Sequence, residues 1–99
     1  MSDLPVIALI TAKPGSEDLV RSSLQELAAE SRKEPGCVSY ELHESAAAPG
    51  TFVTVEAWKS QADLDGHMQT PHIAAALGKV GDALAAPPAI HPLQPVDLG

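Results

Sequence analysis

The stretch "CVSYELHESAAAPGTFVTVEAWK" (residues 37–59) decides the fold. Its first nine residues alternate, with Val38, Tyr40 and Leu42 set against Ser39, Glu41 and His43. That is the period of two expected of a half-buried strand. Ala-Ala-Ala-Pro-Gly (46–50) reads as a turn. Residues 51–59 return to β-branched and aromatic types, so the stretch predicts a hairpin. Its second strand places Phe52 and Trp58 on one side and Val53, Val55 and Ala57 on the other.

Before the hairpin, Ser16 is an expected N-cap followed by Glu17 and Asp18, and Val20, Leu24, Leu27 and Ala28 recur at helical spacing. Arg32 and Lys33 suit the C-terminal end of that helix, and Pro35-Gly36 stops it. After the hairpin, Ser60 and Asp63 form a capping box that opens a short helix to about Gln69. Thr70-Pro71 then restarts the chain as a new helix, whose expected buried stripe is Ile73, Leu77, Val80 and Leu84. Two further strands lie outermost: "LPVIALITAK" (4–13), and an edge strand within the Pro-rich "PPAIHPLQPV" (87–96). Strand, helix, strand, strand, broken helix, strand is the split βαβ pattern of the ferredoxin-like α+β class. Helices would cover one face of a four-stranded antiparallel sheet. One domain is expected over residues 1–99, with its core at about 4–94.

An antiparallel sheet with one wet face alternates apolar and polar residues. Residues 4–13 do not alternate: Val6, Ala8 and Ile10 face one way, and Ile7 and Leu9 face the other. Helices bury only one side. A second copy of the same sheet is the simplest cover for the other, so the pattern predicts a homodimer joined sheet to sheet.

The formal net charge of −7 comes from 13 acidic against 6 basic residues, with no basic run to neutralise phosphates, so no nucleic-acid partner is expected. No apolar run approaches the roughly 20 residues that span a bilayer, so no membrane role is expected. The Met-Ser-Asp start lacks a secretory pattern. Cys37 is the one cysteine and cannot form an internal disulfide, which suits a reducing, cytoplasmic setting.

In "EPGCVSYELHES" followed by "TVEAWKSQADLDGHMQTPHIAAAL" the chain resembles the antibiotic biosynthesis monooxygenase family, and most of all its small bacterial quinol monooxygenase branch. The resemblance covers about residues 4–94. It implies a dimeric α/β barrel of ferredoxin-like protomers. It also implies oxidation of a small quinol or related phenol by O₂ without metal or flavin, in a dry pocket between sheet and helices. Trp58 matches the tryptophan that lines the family pocket. Thr54 and Leu64 stand where the anthrone-oxidising branch has asparagine and tyrosine. Ile7, His67 and Leu77 stand where the haem-degrading branch has asparagine, tryptophan and histidine, so haem degradation is not implied.

The candidates for proton transfer are His67, His72 and Glu56. His67 follows Leu64 by three residues on the short helix, near its C-terminus, where the dipole favours the protonated form. His72 lies in the first turn of the next helix, where the dipole favours a neutral imidazole able to take a proton. Glu56 shares a strand face with Thr54 and Trp58 and would be a half-buried carboxylate. Trp58, Thr54, Tyr40 and Leu64 are the expected substrate contacts. The two histidines flank a proline-capped break, and no CxxC or HExxH pattern supports them, so no metal site is expected. Cys37 is expected to be inert, and His91 to lie on the surface. Two other readings stay open on the same fold: a non-enzymatic dimer that binds an aromatic ligand or serves in a stress response, and an isomerase.

Overall fold

The computed structural model describes residues 3–99; Met1 and Ser2, which open the expected non-secretory start, lie outside them. The elements are β1 (Leu4–Thr11), α1 (Glu17–Ser31), β2 (Cys37–Glu44), β3 (Thr51–Trp58), α2 (Gln61–His67), α3 (Pro71–Val80) and β4 (Ala89–Pro92), with a 3₁₀ turn at Gly81–Ala83. The strands form one antiparallel sheet in the order β2-β3-β1-β4. This is the α+β ferredoxin-like fold with a four-stranded sheet.

Local chemistry sets the boundaries. Ser60 Oγ accepts the Asp63 amide at 3.1 Å and donates to Asp63 Oδ2 at 2.8 Å, opening α2. Thr70 Oγ1 accepts from the Ile73 amide and donates to the His67 carbonyl at 2.7 Å, with Pro71 at the first helical position. That one hydroxyl closes α2 and opens α3. Ser16 precedes α1 as expected, but its side chain makes no capping bond; Glu17 Oε1 instead accepts the Gly15 amide at 2.8 Å.

Val6, Ala8 and Ile10 of β1 and Phe52, Thr54, Glu56 and Trp58 of β3 are buried beneath the helices. The alternation in β2 holds from Tyr40 onward only. A bulge between Cys37 and Ser39 shifts the register, and Val38, expected beside Tyr40, is 47% exposed. In α3 the buried residues are Ile73, Ala76 and Val80, whereas Leu77, expected in the stripe, is exposed. The helix ends at Val80, so Leu84 only flanks the core, in the segment after the 3₁₀ turn.

The other sheet face remains apolar and open to solvent. Leu9 is 42% exposed and Val55 39%, while Ile7 and Val53, their cross-strand neighbours, are half-buried. The molecule measures 42 × 35 × 18 Å, a slab of one sheet and one helical layer. Its accessible surface of 6051 Å² exceeds the roughly 5,400 Å² expected of a compact monomer of this mass.

Candidate active site

The core face of the sheet carries small residues where its two central strands run side by side. Ala8 of β1 is paired with Thr54 of β3, and Leu42 of β2 lies on the far side of Thr54. The helices bridge over them and leave a cavity of about 170 Å³ between sheet and helices. An apolar cavity of about 150 Å³ accommodates benzene, so the space suits one aromatic ring. Its lining is apolar except for Tyr40, Thr54, Glu56 and His67. Leu77 and Ile90, both exposed, stand at its rim.

Glu56 sits on the core face between Val6 and Tyr40, only 6% exposed. No ion pair reaches it among the described residues. Its partners come from its own strand, because residues two apart share a face. Thr54 Oγ1 donates to Oε2 at 2.5 Å, and Trp58 Nε1 donates to Oε1 at 2.9 Å. A carboxylate has about four lone-pair sites, so each oxygen can still accept a bond from the cavity. Across from it, burial pushes the Tyr40 phenol well above its ordinary range, and the charge of Glu56 adds to that. Tyr40 is therefore held as a hydroxyl donor.

His67 is 2% exposed at the last turn of α2. Its ring lies 4.5 Å from that of Trp58 and 6.0 Å from that of Tyr40, centroid to centroid. His67 Nδ1 lies 2.6 Å from Glu34 Oε2, and His72 Nε2 lies 2.8 Å from the same oxygen. No protein group among the described residues pairs with His67 Nε2, and His67 lines the cavity. The three donor atoms of Glu34, His67 and His72 fall within 4.8 Å of one another and could gather round a metal ion. Ligands about 2.0–2.1 Å from a tetrahedral ion sit about 3.3 Å apart, however. The two O···N separations found are hydrogen-bond lengths.

Tyr40, Thr54, Glu56, Leu64 and His67 all line the cavity. Trp58 does not, contrary to the pocket-wall role the resemblance implies. Paired with Leu4 and Cys37 at the end of β3, it is fully buried behind Glu56 and His67 and contacts both. His72 also stands apart from the cavity. It opens onto a groove between α1 and α3, shares Glu34 Oε2 with His67, and its ring centroid lies 5.9 Å from that of His67. Cys37 is half-buried, and burial raises its thiol pKa, with the charges of Glu34 and Glu56 adding to the shift. His43 bonds Glu41 on the surface, and His91 is exposed on β4.

Glu34 is the site residue that sequence reasoning missed. It precedes His67 by 33 positions, and its sole sequence signal is that it opens the Glu-Pro-Gly-Cys segment.

A split βαβ chain with a cavity between sheet and helices, walled by apolar groups and a few converging polar ones, belongs to the class of small α+β proteins with an enclosed pocket of small-molecule type. The chain belongs to the antibiotic biosynthesis monooxygenase family, whose model matches residues 4–79. It is 35% identical over 96 residues to Rv0793 of Mycobacterium tuberculosis, whose name carries the word monooxygenase; the match covers 97% of this chain and 94% of that one. The solved structure of Rv0793 superposes with a TM-score of 0.87 over 97% of both chains. PA3566 from Pseudomonas aeruginosa superposes at 0.89 with 31% identity, over 98% of this chain and 97% of that one. The Escherichia coli protein named "Probable quinol monooxygenase YgiN" is 35% identical over 82 residues, covering 73% of this chain and 79% of its own. Family membership and these names support a monooxygenase-like function. No helix among the described residues is long and apolar enough to cross a membrane.

Proposed function

We propose that this protein is a cofactor-independent monooxygenase that oxidises a small, single-ring quinol or related phenol with O₂, working as a homodimer in a reducing, cytoplasmic setting. The observation that carries this reading is the cavity, apolar but for Tyr40, Thr54, Glu56 and His67 and sized for one ring. A quinol and O₂ become a hydroxyquinone and water. The substrate supplies all four electrons, two leaving as its hydroxyls become carbonyls and two as the ring gains oxygen, so no outside reductant is needed. His67 takes the first phenolic proton at Nε2. Glu56 accepts a hydrogen bond from the second hydroxyl, and Tyr40 donates to the oxygen on which negative charge develops. The apolar walls keep water from the oxygenated intermediate. The open face bearing Leu9 and Val55 supports pairing with a second copy.

The test incubates metal-stripped protein with a substituted hydroquinone, in chelator, and follows O₂ uptake above autoxidation. Uptake that survives chelation and falls by about 10²-fold or more in His67→Ala is the expected result. Quenching of Trp58 fluorescence without uptake makes the protein an aromatic-ligand binder. Proton exchange next to a substrate carbonyl with no demand for O₂ makes it an isomerase. Either of those outcomes refutes the oxygenase reading. Sedimentation equilibrium should give twice the 10.3 kDa chain mass, and Leu9→Asp should halve it.

A further inference from the structure

We infer that Glu34 is the positioning residue of the site: its carboxylate holds His67 with the proton on Nδ1 and the lone pair of Nε2 toward the cavity, while His72 merely shares the same oxygen from the surface side. This rests on the reading of His67 as the proton acceptor.

A single oxygen, Glu34 Oε2, lies within hydrogen-bond distance of both imidazoles. A carboxylate oxygen accepts and does not donate. His67 Nδ1 and His72 Nε2 must therefore both carry hydrogen. In its neutral form His67 then has one nitrogen free to take a proton, and that nitrogen is Nε2, on a ring that lines the cavity. A free imidazole chooses between its two tautomers; here the carboxylate makes the choice. The same anion faces the ring when the substrate's proton arrives and stabilises the cation formed.

The surroundings make the arrangement rigid. Glu34 lies in the turn between α1 and β2, where its amide donates to the Ser31 carbonyl at 3.1 Å and its carbonyl accepts from Cys37 at 3.0 Å. Thr70 holds the His67 carbonyl, and Trp58 packs against the His67 ring. Glu34's side chain is 16% exposed and His72's 22%, against 3% for His67. The other charged groups on the groove are Glu26 and Glu30 of α1 and Lys79 of α3, and Lys79 is paired with Glu26 at 2.6 Å. From the sheet side the rings of Tyr40 and Trp58 face His67, and the Glu56 carboxylate, bonded to Trp58, lines the same cavity.

His72 draws on the same oxygen but contributes no group to the cavity. Removing it frees the oxygen for His67 alone, whereas removing the carboxylate frees His67 to adopt the wrong tautomer. The two substitutions should therefore differ sharply in effect.

The first measurement needs no substrate. Long-range ¹H–¹⁵N imidazole spectra of the ¹⁵N-labelled, ligand-free protein should show His67 protonated at Nδ1 and bare at Nε2. Glu34→Gln should lose that single tautomer while keeping its circular dichroism. With a substituted hydroquinone, Glu34→Gln should lower kcat by about 10²-fold or more with KM little changed, whereas His72→Ala should change kcat by less than about threefold. His67 protonated at Nε2 in the native protein overturns the inference, whatever the turnover. So does full kcat in Glu34→Gln, or one-to-one Zn²⁺ binding that depends on Glu34. If no quinol is oxidised but the tautomer is as stated, the proposed reaction fails and the positioning role of Glu34 stands.

Discussion

Glu56 offers the sharpest test of how the site is assembled, through the contrast between Glu56→Gln and Glu56→Leu. In the native chain two donors converge on a carboxylate that is 6% exposed. The Trp58 indole N–H donates to one oxygen, and the Thr54 hydroxyl to the other. Glutamine replaces one oxygen with NH₂. An indole N–H cannot accept a hydrogen bond, so the glutamine carbonyl must turn to Trp58 and its NH₂ to Thr54, whose hydroxyl can rotate to accept. Every group stays paired, and the variant should lie within about 1 kcal/mol of the parent. Leucine, of similar size, leaves the Trp58 N–H with no partner inside a fully buried cluster. An orphaned buried donor costs about 1–3 kcal/mol. For a chain of this length, about 2 kcal/mol is a fall of roughly 8–16 °C in Tm.

Trp58 is the one tryptophan, so its fluorescence reports the perturbed position directly during urea unfolding. Equal destabilisation by Gln and Leu would refute the hydrogen-bond ladder. Activity adds a second axis. With His67 as the first base and Glu56 as the acceptor of a second hydroxyl, Glu56→Gln should slow turnover on a hydroquinone by about tenfold, well short of the His67→Ala loss. A larger loss in Glu56→Gln than in His67→Ala would exchange the two roles.

Because Tyr40 holds its proton more tightly folded than unfolded, its contribution is complete below the phenol's ordinary value of about 10 and is lost as pH rises above that. The unfolding free energy from urea titrations should therefore fall between pH 10 and 11.5, by up to about 1.4 kcal/mol per pH unit, and Tyr40→Phe should flatten that fall. The Cys37 thiol, raised by burial and then by Glu34 and Glu56, should react with iodoacetamide at pH 8 more slowly than a free cysteine, and Glu34→Gln should speed it. Gly36 backs onto α2, where an added Cβ would lie 2.5 Å from the Cβ of Asp63. Gly36→Ala should thus push α2 outward, cost about 1–3 kcal/mol, and lengthen the Glu34–His67 contact, which the imidazole NMR signals would register.

Much of the fold was legible because the sheet signals are periodic and the helix signals are chemical. Val6, Ala8 and Ile10 alternate with Ile7 and Leu9, and Ser60 and Thr70 cap where capping residues should. Two of the misreadings share a cause, which is that periodicity carries no information about interruptions. A bulge turned Val38 outward, and the early end of α3 left Leu84 beyond the helix, whereas Leu77 lies within α3 but off its buried face, which Ile73, Ala76 and Val80 form. The site was most directly legible where its residues share an element. Thr54, Glu56 and Trp58 stand two apart on one strand, so their common face could be read directly. Glu34 reaches His67 through the docking of α2 beside the turn that follows α1, a tertiary event that no local pattern records. Trp58 shows the limit of resemblance. It stands at the matching position, yet at the end of β3 it is fully buried, bonded to Glu56 and packed against His67.

The most conspicuous local inconsistency in this chain is also the best pointer to its function. The core faces of β1 and β3 would pack more tightly with a large apolar residue at positions 8, 54 or 56, closing the 170 Å³ cavity and sparing the cost of a buried carboxylate. The chain instead places Ala8, Thr54 and Glu56 together, where they leave a hollow and put an acceptor beside it. Stability alone does not account for that choice, because each of the three gives up burial energy to a space that nothing in the protomer fills. Sites where sequence logic and packing logic disagree tend to be functional or strained. No described residue other than glycine has a positive φ to mark strain here. Function is the remaining account. If it is right, filling the hollow with Ala8→Leu should hold or raise Tm while abolishing both hydroquinone binding and turnover, and a variant that binds as before would show that the ligand lies elsewhere.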